Sequence, residues 1–141
     1  MSKITLLTIK QHLCMMRNGE IVNKLGALVA DMNYIAAIGW WHFEHDNHRM
    51  VYIPGDDSSD TIRICIPHFD ASDKYDSEFL AATINEVNRE VKYVKVVLLG
   101  NGSIAVNYDY LCGTSEDISS VLRHMLKCLS FAADYLQNKL S

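Results

Sequence analysis

The sequence contains few of the residues that break regular structure. Of its 141 residues only 2 are proline and 7 are glycine, while 49% are hydrophobic. Disordered chains, collagen-like chains and low-complexity linkers all require a different composition. Domains cluster at about 100–150 residues, so the length suits one of them. We therefore expect residues 1–141 to form a single folded domain.

The sequence also lacks the segments and charges that indicate contact with membranes or nucleic acids. No apolar run reaches the roughly 18 residues that a membrane helix needs. We expect no signal peptide, because a long apolar stretch followed by a cleavage site is missing. Lys and Arg number 13 against 17 Asp and Glu, and the formal net charge of -4 does not suit a phosphate backbone. We expect neither a membrane nor a nucleic acid as a partner.

Cysteine is scarce, and the four cysteines are far apart, at Cys14, Cys65, Cys112 and Cys128. None forms a CxxC pair, and each has apolar neighbours, which is typical of a buried thiol. Small secreted domains often depend on a framework of disulfides, and this chain has no such pattern. The expected location is therefore the reducing cytoplasm.

The N-terminal part of the chain has apolar residues at helical spacing. Residues 4–17 and residues 20–33 both follow this pattern, and the Asn18-Gly19 dipeptide between them is typical of a helix end. The pattern predicts two helices. A single bent helix remains the alternative, because the interruption is short.

The apolar period changes near Tyr34, where aromatic and β-branched residues begin. Residues 38–43 and 50–53 are typical of strands, and the Asp46-Asn47 dipeptide between them is a turn signal. A two-residue turn decides which residues face each other, and here it places opposite charges on one face and apolar residues on the other. The facing pairs are Trp41 with Tyr52, Phe43 with Met50, Glu44 with Arg49, and His45 with His48.

The rest of the chain alternates between strand and helix patterns. Ile62, Ile64 and Ile66 alternate with polar residues, which predicts a strand with one buried face. Strands joined by hairpins and separated by helices predict an α+β fold with two layers, in which helices pack on an antiparallel sheet. The predicted order is αβββαββα, with an extra N-terminal helix left open. The other predicted elements are a helix at 76–91, strands at 94–99 and 104–110, and a helix at 116–140.

Two pairs of aromatic residues are the candidates for binding a partner. Trp40 and Trp41 are adjacent, so on a strand they face opposite ways, and only one of them fills the core. Phe131 and Tyr135 widen the apolar stripe of the last helix beyond what one sheet face needs. This excess predicts contact with another polypeptide, and a homodimer is the expected assembly.

Three histidines around one predicted turn support an alternative function. Imidazoles and a carboxylate can bind a transition metal, and His42, His45 and His48 lie close together in sequence with Asp46 among them. The predicted register places His42 on the opposite face, so polar residues at a hairpin tip are the simpler interpretation. A small-molecule sensor with a pocket between sheet and helices is a further alternative.

No motif for catalysis or for a cofactor is present in the sequence. Cys65 with His68, and Cys128 with His124, have the residue types of a nucleophile and its base. A thiol among apolar neighbours beside a surface histidine is the favoured interpretation of both pairs. The sequence therefore predicts a protein that is not an enzyme and holds no metal or other cofactor.

Short motifs in the second half of the chain resemble a known family. They are residues 64–67 (ICIP), residues 85–89 (NEVNR) on the middle helix, and Lys92 and Lys95 near the next strand. Together with the element order they resemble the YbjN-like family, which has the type III secretion chaperone-like fold, over residues 35–140. The resemblance implies an αβββαββα domain, commonly dimeric, that binds polypeptides and does not catalyse a reaction. Some members are described as sensory transduction regulators.

The leading hypothesis is a non-enzymatic protein-binding module, chaperone-like or regulatory, that acts as a cytoplasmic homodimer. Its predicted contact residues are the four aromatic ones named above. The segment 20–33 departs from the family pattern, because the family usually has one leading helix and this segment reads as a second or extended one.

Overall fold

The computed structural model describes residues 17–55, 61–112 and 116–141. Within these ranges the chain forms six strands and three α-helices. The strands are β1 (Ala30–Ile35), β2 (Trp40–His45), β3 (His48–Ile53), β4 (Thr61–Ala71), β5 (Lys95–Leu98) and β6 (Ser103–Leu111). The helices are α1, which is described from residue 17 to residue 26, α2 (Ser77–Glu90) and α3 (Ile118–Leu140), with a short 3-10 helix at Ser72–Lys74.

The six strands form one antiparallel sheet in the order β1-β2-β3-β4-β6-β5. α3 packs on β4 and β6, while α2 packs on β5 and α3. α1 buries Ile21 and Leu25 in the same core, and Asn18 accepts a hydrogen bond of 2.6 Å from the hydroxyl of Tyr52. All described helices therefore lie on one face of the sheet, the helix face, and the other is the open face. This arrangement confirms the predicted α+β fold.

Alternation of side chains along the strands gives the sheet one buried face. Ile62, Ile64 and Ile66 of β4 are almost fully buried on the helix face. Between them, Arg63 lies on the open face and donates two hydrogen bonds to the carboxylate of Asp109, at 2.6 and 2.9 Å. The partners of the three isoleucines on β6 are Tyr110, Tyr108 and Val106.

The hairpin of β2 and β3 has the register that its turn predicts. Asp46 and Asn47 have φ angles of 49° and 65°, so both lie in the left-handed region that a two-residue turn of this kind requires. The pairs found are Trp41 with Tyr52, Phe43 with Met50, Glu44 with Arg49, and His45 with His48. The sequence predicts this register because the two-residue turn and the alternation of apolar and charged residues along both strands require the same pairs.

The predictions for the N-terminal part are wrong in two respects. Asn18 and Gly19 lie inside α1, so no helix ends there, and the helix predicted over residues 20–33 ends at residue 26. β1 follows it, which adds a fourth strand ahead of α2 and makes the order αββββαββα. The helix predicted over residues 4–17 lies outside the described residues except for its last one.

The apolar residues that follow α1 explain the error. Leu28, Val29 and Met32 are half-buried and pack against the core, and their spacing fits a helix as well as a turn and strand. A bulge between Ala30 and Asn33, with Asp31 at a φ of 54°, shifts the strand register there. The pairing with β2 supplies the backbone hydrogen bonds of β1, and this tertiary effect is not visible in sequence periodicity.

One side chain of α2 closes the β5 edge of the sheet. The Asn88 amide donates to the carbonyl oxygen of Val96 at 2.9 Å, and the Val96 N–H donates to the Asn88 side-chain oxygen at 2.8 Å. β5 pairs with β6 on its other side. Both outward backbone groups of Val96, which is itself buried, are therefore satisfied by a single asparagine.

Replacing Asn88 by alanine should lower the free energy of unfolding by about 2 kcal/mol, because it leaves a buried N–H and a buried C=O without partners. Urea denaturation followed by circular dichroism measures the change. Asn85→Ala is the matched control, since Asn85 lies one turn earlier on the exposed side of the same helix. We expect the control to change stability by less than about 0.5 kcal/mol. Equal effects of the two substitutions would contradict the assigned role of Asn88.

Candidate functional site

The hairpin of β1 and β2 exposes an apolar surface at one edge of the sheet. We call residues 34–41 the apolar hairpin. No Asp, Glu, Lys or Arg occurs from residue 32 to residue 43. Tyr34 and Ile38 each retain 51% of their accessible surface, and Ile35 retains 39%. Large apolar side chains that are exposed together are typical of an interface.

The apolar hairpin is held in one conformation by its turn and by ring contacts. Trp40 pairs with Ile35 and Trp41 with Tyr34 across the two strands. Gly39, at a φ of 71°, donates its N–H to the Ile35 carbonyl at 2.8 Å, and this left-handed geometry favours glycine. The rings of Tyr34 and Trp41 lie 4.9 Å apart. The exposed apolar groups are thus fixed before any partner binds.

The two adjacent tryptophans lie on opposite faces of the sheet. Trp41 is half-buried on the helix face and packs against the core. Trp40 is half-buried on the open face, and its ring stacks on that of His42 with the centroids 6.4 Å apart. The sequence predicts this division, and the structure also explains how the outward tryptophan is supported.

Among the described strands, β1 lies at the edge of the sheet and pairs with β2 alone. An edge strand carries unpaired backbone groups on its outer side, which can add the strand of another chain. At the opposite edge α2 and Asn88 cover β5, as described above. The two edges therefore differ, and among the described residues no helix or side chain is found to close the β1 edge in the same way.

The other two predicted contact residues lie on α3. The rings of Phe131 and Tyr135 stack with their centroids 6.1 Å apart, and Phe131 is 61% exposed. Tyr135 donates a hydrogen bond to Glu90 of α2, which raises the pKa of the Tyr135 hydroxyl. The four predicted aromatic residues thus form two pairs on separate elements, one on the apolar hairpin and one on α3.

A third aromatic group, which the sequence analysis missed, lies beside α3. The ring of Tyr93 is parallel to that of Tyr108 at 6.1 Å and meets His124 edge-on at 5.2 Å. Tyr93 is 64% exposed and has a φ of 71°, which is unusual for a residue other than glycine. It lies in the short connection between α2 and β5, and a connection this short has no apolar periodicity that would mark Tyr93 as a surface or core residue.

The two cysteine–histidine pairs do not have the electrostatics of a nucleophile. His124 contacts both the Tyr108 hydroxyl, at 3.1 Å, and the Cys128 sulfur, at 3.6 Å. Burial nevertheless raises the pKa of the Cys128 thiol, and it raises that of Cys65 to about 11. His68 contacts the Ser103 hydroxyl at 3.0 Å. Both thiols are therefore protonated near neutral pH, whereas a nucleophilic cysteine needs a lowered pKa.

The structure does not bring His42, His45 and His48 together as the metal hypothesis requires. His45 and His48 face each other beside the turn, and His42 lies on the other face. His48 instead contacts Asp134 of α3 at 3.0 Å. Across residues 17–55, 61–112 and 116–141, no group of three His, Cys, Asp or Glu side chains is placed to hold a metal ion.

A groove of about 560 Å³ lies on the β1–β4 part of the sheet, and its lining includes Asn33, His42, Arg49 and Pro67. The volume is in the range of small-molecule sites. The His42 Nε2 atom is buried and has no hydrogen-bond partner among the described residues. Because this nitrogen is buried, a ligand in the groove does not reach it, and the sensor hypothesis gains no specific polar contact from it.

The chain matches no protein-family model, and a search of curated proteins gives no match. The resemblance to the YbjN-like family therefore stays a prediction. No helix in the described part of the chain is long and apolar enough to cross a membrane.

We expect both thiols of the cysteine–histidine pairs to react slowly in the folded protein. With a pKa of about 11, Cys65 is about 0.1% thiolate at pH 8, against about a quarter for an ordinary cysteine. In variants that retain only Cys65 or only Cys128, with serine at the other cysteines, reaction with Ellman's reagent should be more than tenfold slower than with free cysteine. Cys65 should be the slower of the two, because it is also the more buried.

Unfolding in concentrated guanidinium chloride is the control, and it should bring both rates to that of an ordinary thiol. A native Cys128 rate above that of free cysteine, reduced by His124→Ala, would show an activated nucleophile and contradict the assignment.

Proposed function

We propose that the protein is a non-enzymatic polypeptide-binding module, chaperone-like or regulatory, that forms a homodimer through the apolar hairpin. The observation that carries the proposal is the position of this uncharged, exposed surface at the β1 edge of the described sheet. Edge strands are managed in folded proteins by covering them, charging them or pairing them. The apolar hairpin carries no charge, and the one carboxylate of β1, Asp31, lies near the other end of the strand, so the hairpin end of this edge is suited to pairing.

The side chains of the apolar hairpin suit the centre of an interface. Tryptophan and tyrosine are enriched among the residues that contribute most to binding, because they bury much area with few rotatable bonds. Trp41 rests on Tyr34 and Trp40 on His42, so little side-chain freedom remains to be lost. Association through this surface therefore loses little side-chain entropy beyond the translational and rotational cost of any binding.

A second copy of the chain is the partner that best fits the hairpin. Each chain has a formal net charge of -4, so two copies repel each other over much of their surface. The hairpin has no charged residue, and a two-fold axis beside β1 brings two identical apolar surfaces together. Antiparallel pairing of the two β1 strands also satisfies their outer backbone groups. The two six-stranded sheets then form one continuous sheet.

The chemistry of the cysteines supports a role in binding. Both thiols that have a histidine nearby in sequence, Cys65 and Cys128, have raised pKa values, so neither supplies a nucleophile at neutral pH. Unpaired thiols also fit the cytoplasm, which remains the proposed location. The resemblance to the YbjN-like family adds the expectation of a chaperone-like or regulatory role and of a dimer.

Light scattering coupled to size-exclusion chromatography tests the dimer. We expect a mass of twice 16.0 kDa at micromolar concentration. Ile38→Lys places a charge at the turn of the apolar hairpin, where the side chain is already exposed, so the fold should be retained. Because the dimer would have to bury an unpaired charge, the dissociation constant should rise at least about tenfold.

Leu98→Lys is the matched control. Leu98 is 52% exposed, against 51% for Ile38, but it lies at the β5 edge of the sheet. We expect the control to remain a dimer. A monomeric native protein, or an Ile38→Lys variant that dimerises as well as Leu98→Lys, would overturn the proposed interface.

A further inference from the structure

A strip of cations and aromatic rings runs along the exposed side of α3 and reaches the loop before β5. We call it the basic–aromatic strip, and it consists of Lys92, Tyr93, Arg123, His124, Lys127 and Phe131. We infer that this strip binds an acidic polypeptide segment that carries apolar side chains. The inference rests on the proposed polypeptide-binding function and adds the chemistry of the partner at a second surface.

The members of the strip are neighbours by helix geometry and by ring contacts. Arg123, Lys127 and Phe131 follow one another at intervals of four residues, so they lie in one row along α3. His124 lies beside the first of them, and the Tyr93 ring contacts it edge-on at 5.2 Å. Through this ring contact the loop before β5 adds Lys92 and Tyr93 to the surface formed by the row of α3 residues.

Each of the two exposed rings of the strip, Tyr93 and Phe131, stacks on a second aromatic ring. Tyr93 stacks on the buried Tyr108 ring, and Phe131 stacks on Tyr135. They remain 64% and 61% exposed, respectively. Tyr93 is also held in the left-handed region, a conformation that is unfavourable for a residue with a side chain and that clusters at ligand-binding sites. Their outer faces are thus positioned to contact apolar groups of a partner.

The strip places cations without carboxylate partners beside exposed aromatic rings. Lys92, Arg123 and Lys127 are exposed, and no carboxylate in the described ranges lies within ion-pair distance of them. Four other described cations are paired with carboxylates, whereas Lys24, Arg89 and Lys95 have no such ion pair in the described ranges. These pairs are Arg49 with Glu44, Arg63 with Asp109, Lys74 with Asp70, and Lys139 with Glu86.

Charge complementarity points to an acidic peptide as the occupant. Three unpaired cations in a chain of net charge -4 provide a local positive field for a few Asp or Glu residues. The exposed rings beside them would contact apolar side chains one or two turns apart on a helical segment. A nucleic acid is the less suitable partner, because its affinity depends on many phosphate contacts and on a broader basic surface.

Fluorescence anisotropy with a labelled peptide tests the inference on the full chain. The probe is a fluorescein-labelled helical peptide of about 15 residues built from Glu, Leu and Phe, and its counterpart has Lys at every Glu position. We expect the acidic peptide to bind at least tenfold more tightly than the basic one at low ionic strength. Its affinity should fall as salt is added.

Charge reversal of the strip provides the decisive comparison. Arg123→Glu with Lys127→Glu should weaken binding of the acidic peptide at least tenfold, and Phe131→Ala should weaken it at least threefold. The matched control, Lys24→Glu with Lys95→Glu, changes the net charge by the same amount at exposed positions outside the strip. We expect the control to lower the affinity less than twofold.

Three outcomes would overturn the inference. They are equal binding of the acidic and basic peptides, equal loss of affinity in the strip and control variants, and displacement of the peptide by an oligothymidylate at lower concentration than by unlabelled peptide. Light scattering on the same samples shows whether the protein is a dimer, so a failure of peptide binding can be distinguished from a failure of the proposed dimer. The strip variants leave the apolar hairpin intact, so they should remain dimeric whether or not the peptide binds.

Discussion

The pairing of β4 with β6 at the centre of the sheet determines where the rest of the molecule lies. Eight residue pairs join these strands, and Ile62, Ile64 and Ile66 face Tyr110, Tyr108 and Val106 on the helix face. A strand cannot shift by one residue without moving every apolar side chain to the other face. The three isoleucines therefore fix the face on which the helices pack. The open face carries polar pairs such as Arg63 with Asp109, together with the buried pair of Cys65 and Val51.

The two edges of the sheet follow from this central pairing and differ in chemistry. On the β6 side the helix layer extends over β5, where Asn88 satisfies both outward groups of Val96. On the β3 side α1 packs on the sheet, α3 reaches it through the contact of Asp134 with His48, and the sheet ends in the apolar hairpin. At the β5 edge the outward backbone groups of Val96 are satisfied within the chain, although Leu98 is exposed there, while the β1 edge carries several exposed apolar side chains together on the apolar hairpin. This asymmetry explains why we assign the dimer contact to β1 rather than to β5.

Sequence patterns predicted the features that depend on local chemistry. The β2–β3 register followed from Asp46 and Asn47, and the buried face of β4 followed from alternation, so the fold class was accessible. β1 was missed because Leu28, Val29 and Met32 fit a helix equally well. Tyr93 was missed because a loop residue becomes part of a surface only through tertiary contacts. For the same reason the sequence indicates that Phe131 widens the apolar stripe of the last helix beyond what one sheet face needs, but not which cations lie beside it.

The two proposed surfaces are compatible because they lie toward opposite edges of the sheet and differ in charge. A dimer joined through β1 would leave the basic–aromatic strip of each chain accessible, since the strip is formed by α3 and by the loop before β5. Such a dimer would present two strips in a fixed relation. A partner with two acidic segments separated by a suitable linker would then bind with an avidity that exceeds the affinity of either segment by about 10²–10⁴-fold. Dimerisation through the uncharged apolar hairpin would in this way strengthen binding at a charged surface that it does not touch.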